Sequence, residues 1–183
     1  MTKSATPGIN DLPASKDGLL HVIVESPAGA TAKLKWEPDL QVFTLSRPLP
    51  AGLVYPHDWG FVPGTRAADG DPLDALVLSE GTSFPGVLIR CRPLGLVRLE
   101  QNRKAGGGRE RNDRVIGLAE PAPHRDSLRT HDDLGPQARA EIEQFFLNVT
   151  FFEDKDAKIL GWGGPDEAWQ LVQASVESRP LKH

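Results

Sequence analysis

The sequence predicts one compact domain of mainly β structure, a small β-barrel with two helices packed against its outside. Short runs of β-branched and aromatic residues, broken by turn-rich segments, fill the first two thirds of the chain. Two stretches with helical spacing of apolar residues come late, the order of strands closed first and helices laid on them afterwards. The 183 residues, 39% hydrophobic and 25% charged, suit a single core better than two domains or a disordered chain.

The strands come first. "LLHVIVE" (19–25), "AKLKWE" (32–37) and "LQVFTLS" (40–46) are separated by segments such as "SPAGAT". In "KLKWE", alternation places Lys33, Lys35 and Glu37 on one face and Leu34 and Trp36 on the other. Further strands follow at "DALVLS" (74–79), "VLIRCRPLGLVRL" (87–99) and "DRVIGLA" (113–119), the long one interrupted by Pro93 and Gly95, which mark a bend or bulge. "AGGGRERNDR" (105–114) reads as a mobile charged loop. Ile142, Phe145, Phe146 and Val149 then recur at i, i+3, i+4 and i+7, one buried helical stripe. A second helix opens at Pro165 followed by two acids and carries Trp169, Val172 and Val176.

Charge and composition exclude several classes. With 21 basic residues against 25 acidic ones the formal net charge is −4, which leaves no polycation for a nucleic-acid backbone. Cys91 is the single cysteine and has no internal disulfide partner, consistent with a reducing compartment. The polar start lacks the apolar stretch of a secretion signal, and no segment approaches the roughly 18 apolar residues of a membrane span. The expected location is the cytoplasm, with no membrane partner. Residues 1–17, rich in Pro, Gly, Ser and Asp, are expected to form a flexible N-terminal tail ahead of a domain over 18–183.

"DGDPLD" (69–74) crowds three carboxylates around a glycine and a proline. Gly70 permits a sharp turn and Pro72 stiffens the next bond, so Asp69, Asp71 and Asp74 can converge. Two like charges about 4 Å apart cost on the order of 4 kcal/mol at an effective dielectric near 20, and a divalent cation removes that cost. Oxygen-only ligands suit Mg²⁺ or Mn²⁺ rather than zinc, for which no Cys or His spacing exists; His57, His124 and His131 form no ligand set. The plain alternative is an acidic surface turn pointing into water.

The neighbourhood of that cluster adds a resemblance. "YPHDWGFVPGT" (55–65), "DGDPLDALVL" (69–78) and "GVLIRCRPLGLV" (86–97) resemble three consecutive motifs of the soluble family I inorganic pyrophosphatases. The likeness runs from about Leu20 to the last helix and implies a five-stranded OB-like barrel with two helices, activated by Mg²⁺ or alternatively Mn²⁺. It implies Asp69 and Asp74 as metal ligands and Asp71 as the group that accepts the proton of the attacking water while facing the same metals. Lys35, Glu37, Arg47 and Tyr55 match site positions of the family, and Glu25 matches a glutamate that supports a further metal. Pyrophosphate or a related phosphoanhydride is the implied substrate, and a homo-oligomer, hexamer or dimer, the implied assembly.

The chemistry asks for these residue types. A phosphoanhydride repels its nucleophile, so metals must neutralise the phosphates and lower the pKa of the water. Lys35 and Arg47 would hold phosphate oxygens as a point charge and a planar fork.

Several positions depart from the family pattern. Two further metal-binding aspartates are expected; Gln101 and Asn112 stand near those positions, with Arg114 in place of a lysine. A one-residue shift lets Asp113 serve as the metal ligand instead. A Tyr-Lys pair that grasps the leaving phosphate is replaced by Val149 and Thr150, neither of which supplies a charge. Such losses imply altered or reduced pyrophosphatase activity. The glycine-rich insertion either folds Arg109, Glu110 or Arg111 over the pocket, with Arg114 replacing the lost lysine, or stays a solvated loop, the simpler reading. Two other functions stay open: hydrolysis of another phosphoanhydride or phosphorylated metabolite, and a non-catalytic homologue that binds phosphate or a partner.

Overall fold

The computed structural model describes residues 8–103 and 106–176. Its strands are β1 (Ser15–Lys16), β2 (Leu19–Ser26), β3 (Ala32–Glu37), β4 (Val42–Pro48), β5 (Asp58–Val62), β6 (Leu73–Leu78), β7 (Leu88–Asn102), β8 (Arg109–Arg111), β9 (Arg114–Ala119) and β10 (Lys158–Gly163). Its α-helices are α1 (Gly135–Asn148) and α2 (Pro165–Ser175).

Five strands close on themselves. β2 pairs with β5, β5 with β6, β6 with β9, β9 with β7, and β7 returns to β2. Closure removes exposed sheet edges from the ring, and only β6–β9 is parallel. This is the expected fold, a single mainly β domain with two helices. β7 is long enough to serve two neighbourhoods: its start pairs with β2, its end with β10 and β8. The register shifts between Pro93 and Gly95, so the interruption seen in the sequence is a bulge.

Period-2 alternation sorts the ring's side chains into two cores. From β6, Leu76 and Leu78 join Ile142, Phe145 and Phe146 of α1, while Ala75 and Val77 join the cluster that holds Val172 of α2. Each of the α1 side chains is buried, contributing about 1.5–3 kcal/mol. Arg98 of β7 fixes α2 by bonding Glu167 through Nε and Nη2, at 2.8 and 2.5 Å. Among the described residues no helix is long and apolar enough to cross a membrane.

The N-terminal expectation needs correction. Residues 8–17 are part of the domain: a short 3₁₀ turn at Ile9–Asp11 packs Ile9 and Leu12 against Ile23, Trp36 and Phe61, and β1 pairs with β2. Two apolar side chains in a polar stretch are enough to tie it down, which its composition concealed. Residues 1–7 of the expected tail and 177–183 of the expected domain lie outside the described residues.

Outside the ring, β3 and β4 form a separate two-stranded hairpin. It is tied to β2 by Trp36 N–H donating to Glu25 Oε1 (2.8 Å) and Leu34 N–H donating to Ser26 Oγ (2.9 Å).

Candidate active site

The loop from β5 to β6 is drawn tight by Thr65, whose hydroxyl donates to the Val62 carbonyl (2.6 Å) and accepts from Leu73 N–H (3.0 Å). Gly70 follows at φ 86°, a left-handed conformation open to glycine, and Asp71 N–H donates to Asp69 Oδ1 at 3.2 Å. This turn brings Asp69, Asp71 and Asp74 to one cavity of about 460 Å³. Glu25 reaches the same cavity from β2, Lys35 and Glu37 from β3, and Asn112 and Arg114 from the entry to β9.

Opposite charges already meet inside it. Lys35 Nζ lies 3.8 Å from Asp71 Oδ1, with the side chains 49% and 44% exposed, so water screens the pair. Arg114 is far more enclosed. Its guanidinium bonds Asp74 and the Asn112 side-chain oxygen and lies over the Trp59 ring, 5.3 Å from the centroid. Glu25 is buried, and that burial, with a smaller push from the Asp74 charge, raises its carboxyl pKa to about 7 against the pull of the Trp36 N–H bond.

A second, smaller cavity of about 40 Å³ shares Lys33, Asp74 and Arg114 with the first and is also lined by Arg47, Tyr55, Gln101, Val149 and Thr150. Tyr55 is 2% exposed, its ring 5.0 Å from Phe145 and 6.2 Å from Trp59, and burial pushes its phenol up to about 12. Arg47 Nη2 donates to the Val149 carbonyl at 2.7 Å and pairs with Glu153, so it closes the C-terminal end of α1. Val149 and Thr150 do stand at the cavity wall, where a charged pair was expected.

Asp113 is the sequence-predicted ligand that the fold does not deliver. Asn112 and Arg114 face the cavity, and the residue between them faces the other way. Asp113 Oδ1 accepts from Leu99 N–H (3.0 Å), and its carboxylate takes both Nε and Nη2 of Arg111. Nor does Arg109 fold over the pocket. It bonds Glu100, Asn102 and Asp156 instead, joining the β7–β8 hairpin to the loop after α1. Three cavity cations escaped the sequence reading of the site: Lys33, which shares a strand face with Lys35 and was legible from alternation, Arg66, just ahead of the acidic turn, and Lys155, which carries no sequence signal.

The donor chemistry suits a hard divalent ion, because Asp69, Asp71, Asp74 and Glu25 offer only oxygen to a common cavity. As they stand, no three His, Cys, Asp or Glu among the described residues group closely enough to chelate one. Asp71 faces Lys35, Asp74 faces Arg114, and Asp69 Oδ2 accepts from Asn112 Nδ2 at 3.4 Å. The fit is therefore one of ligand type and placement on one wall, with the chain's own cations holding the carboxylates apart.

A closed five-stranded ring and a cavity that sets acidic oxygens against lysine and arginine are the features of a protein that handles a polyanion. The inorganic pyrophosphatase family profile matches residues 22–179. The chain belongs to that family. An inorganic pyrophosphatase of Nostoc is 32% identical over 171 residues, covering 93% of this chain and 98% of the relative. The one from Thermus thermophilus is 35% identical over 161 residues, 86% of this chain and 89% of the relative. A crystal structure of inorganic pyrophosphatase from Thermus thermophilus superposes with a TM-score of 0.84 at 33% identity, over 92% of this chain and 97% of that one. The Coxiella burnetii inorganic pyrophosphatase structure gives 0.80 at 32%, over 90% and 98%.

Proposed function

We propose that this protein hydrolyses inorganic pyrophosphate to two phosphates with the help of divalent metal ions, magnesium or alternatively manganese. The observation that carries this reading is the meeting of Asp69, Asp71 and Asp74 with Lys35 and Arg114 in one cavity of a pyrophosphatase-family barrel. Asp69, Asp74 and Asp71 would hold the ion, with Glu25 in support. The bound ion would supply charge neutralisation and a more acidic water. Asp71 would accept the proton of the attacking water as the water oxygen bonds to one phosphorus, and the bridging P–O bond would break with its electron pair leaving on the oxygen of the second phosphate. Lys35 and Arg114 exchange their carboxylate partners for phosphate oxygens, so the substrate replaces interactions the cavity already contains. Arg47, Tyr55 and Glu37 shape the wall around it.

Gln101, on the smaller cavity, is neutral and 1% exposed, and Asn112, on the main one, is neutral and 6% exposed, so two positions expected to hold metal-binding aspartates carry no charge. A slower enzyme follows. The uncharged Val149 and Thr150 beside Tyr55 and Phe145 also support a second reading, hydrolysis of a different phosphoanhydride, which a substrate panel separates from the first. Family membership supports a cytoplasmic homo-oligomer, hexamer or dimer, to be measured by sedimentation.

The test is phosphate release from pyrophosphate with Mg²⁺ or Mn²⁺. Wild type turns over, and Asp71→Asn loses about 10²–10⁴-fold in kcat, the usual contribution of a general base. Equal activity in both proteins removes Asp71 from the mechanism, and no release with either metal removes the pyrophosphatase reading.

A further inference from the structure

Thr150 lines the smaller cavity without the cation expected of this segment, and five residues later the same segment presents one to the adjoining main cavity, which shares Lys33, Asp74 and Arg114 with the smaller one. Lys155 lines the main cavity together with Asn112 and Arg114. It is brought there by a chain of tight turns after α1: Phe151 N–H bonds the Asn148 carbonyl (3.1 Å), Glu153 N–H that of Thr150 (2.9 Å), and Lys155 N–H that of Glu153 (2.7 Å).

Turns alone do not fix a loop over a cavity. The β7–β8 hairpin does that. Asn102 N–H donates to the Lys155 carbonyl at 2.6 Å, and Asn102 Nδ2 reaches the Asp154 carbonyl at 3.4 Å. On the other side, Arg109 donates through Nη1 to the Asp156 carboxylate and through Nη2 to the Asp156 carbonyl, both at 2.8 Å. Its Nε meets Glu100, and its Nη1 also reaches Asn102 Oδ1 at 3.2 Å. Lys155 thus sits between two backbone anchors, Asn102 at the end of β7 and Arg109 of β8.

We propose that Lys155 is a substrate-binding residue that holds the departing phosphate in place of the missing Tyr-Lys pair, and that Arg109 positions it. The proposal rests on the pyrophosphatase reading above. An ammonium is a compact point charge with rotatable donors, suited to a terminal phosphate whose oxygens turn as the bridging bond lengthens. Anchoring its backbone lowers the entropy lost when the loop meets the substrate. The insertion therefore acts at a distance, by locating a cation contributed by another segment.

Calorimetry with imidodiphosphate, a non-hydrolysable pyrophosphate analogue, in the presence of Mg²⁺ tests this on the full chain, alongside pyrophosphate kinetics. Lys155→Met weakens analogue binding about tenfold and Lys155→Arg restores most of it, the scale of one charge-assisted hydrogen bond. Arg109→Met weakens binding by a smaller factor, and the double variant binds no worse than Lys155→Met alone. Unchanged affinity in Lys155→Met overturns the role of Lys155, and a fully additive double variant overturns the role of Arg109. Wild type that hydrolyses pyrophosphate while Lys155→Met keeps its affinity and kcat/KM refutes this inference only. Lys155-dependent analogue binding without pyrophosphate hydrolysis refutes the parent reading only, and absence of analogue binding in wild type refutes both.

Discussion

Glu25 shows how a single buried side chain couples the site to stability. Its carboxylate is 7% exposed and accepts Trp36 N–H, yet burial still holds its pKa near 7, above the ordinary 4.5. The folded state therefore keeps its proton to higher pH than the unfolded state. The stabilisation is complete below about pH 4.5 and is lost as pH rises through 7, on the order of 3 kcal/mol across the window. Glu25→Gln keeps an acceptor for Trp36 N–H and abolishes the titration. In metal-free buffer the variant should match wild type at low pH and exceed it at pH 8, by an amount that urea denaturation at a series of pH values reads directly. Parallel pH profiles for the two proteins would show that Glu25 does not carry the effect. The same logic explains Asp113 and Arg114. Neighbours at the entry to β9, they point to opposite sides of the chain, so a motif aligned one residue off selects a side chain bound to Arg111 instead of one in the cavity.

Elements with alternation, a helical stripe or an apolar run bounded by turn signals were legible in the sequence. β3 and the two helices were readable because one periodicity governed each, and β2, β6 and β9, although nearly all buried, because their apolar runs end at turn residues. β5 was hidden: every residue of Asp58–Val62 is buried, so it lacks alternation, and it lies inside a segment bounded by prolines that reads as a motif. β10 is broken by Gly161 and exists because the end of β7 offers it an edge. The acidic turn and the cations on β3 were readable because each is set by local geometry. Lys155 was not, since bonds to Asn102 and Arg109, some fifty residues earlier, place it. Close approach of elements also explains one residue that composition cannot. A Cβ at Gly60 would lie 1.9 Å from the Ile23 carbonyl oxygen and 2.7 Å from its carbon, atoms of the neighbouring β2 backbone. Gly60→Ala forces β5 away from β2 at the seam of the ring, and the expected cost is at least about 3 kcal/mol, the upper range for overpacking. A Tm within a degree of wild type would show that the seam yields more easily than its geometry implies.

The whole molecule divides its site between a rigid part and a looser one. Glu25, Asp74 and Arg114 stand on strands of the closed ring, and Asp69 and Asp71 on a loop fastened to it by Thr65. Lys33, Lys35, Glu37 and Arg47 stand on the β3–β4 hairpin, a two-stranded sheet outside the ring whose β4 is largely exposed. A two-stranded sheet alone is marginally stable, and this one is held by two bonds to β2, by buried Trp36 and by the Arg47 contacts with α1 and Glu153. Glu25, Asp69, Asp71 and Asp74 thus stand on the rigid frame, whereas Lys33, Lys35 and Arg47 stand on the looser hairpin. Hydrogen exchange should separate the two: β3 and β4 amides exchange through local opening, and β6, β7 and β9 amides only near global unfolding. On the proposed function, imidodiphosphate with Mg²⁺ should bridge the walls, its phosphates meeting Lys35 on one side and Arg114 on the other. Exchange in the hairpin should then slow about tenfold or more, with the ring little changed. Hairpin amides as slow as those of the ring before the analogue is added would mean that the site is rigid throughout and that closure plays no part in capturing the substrate.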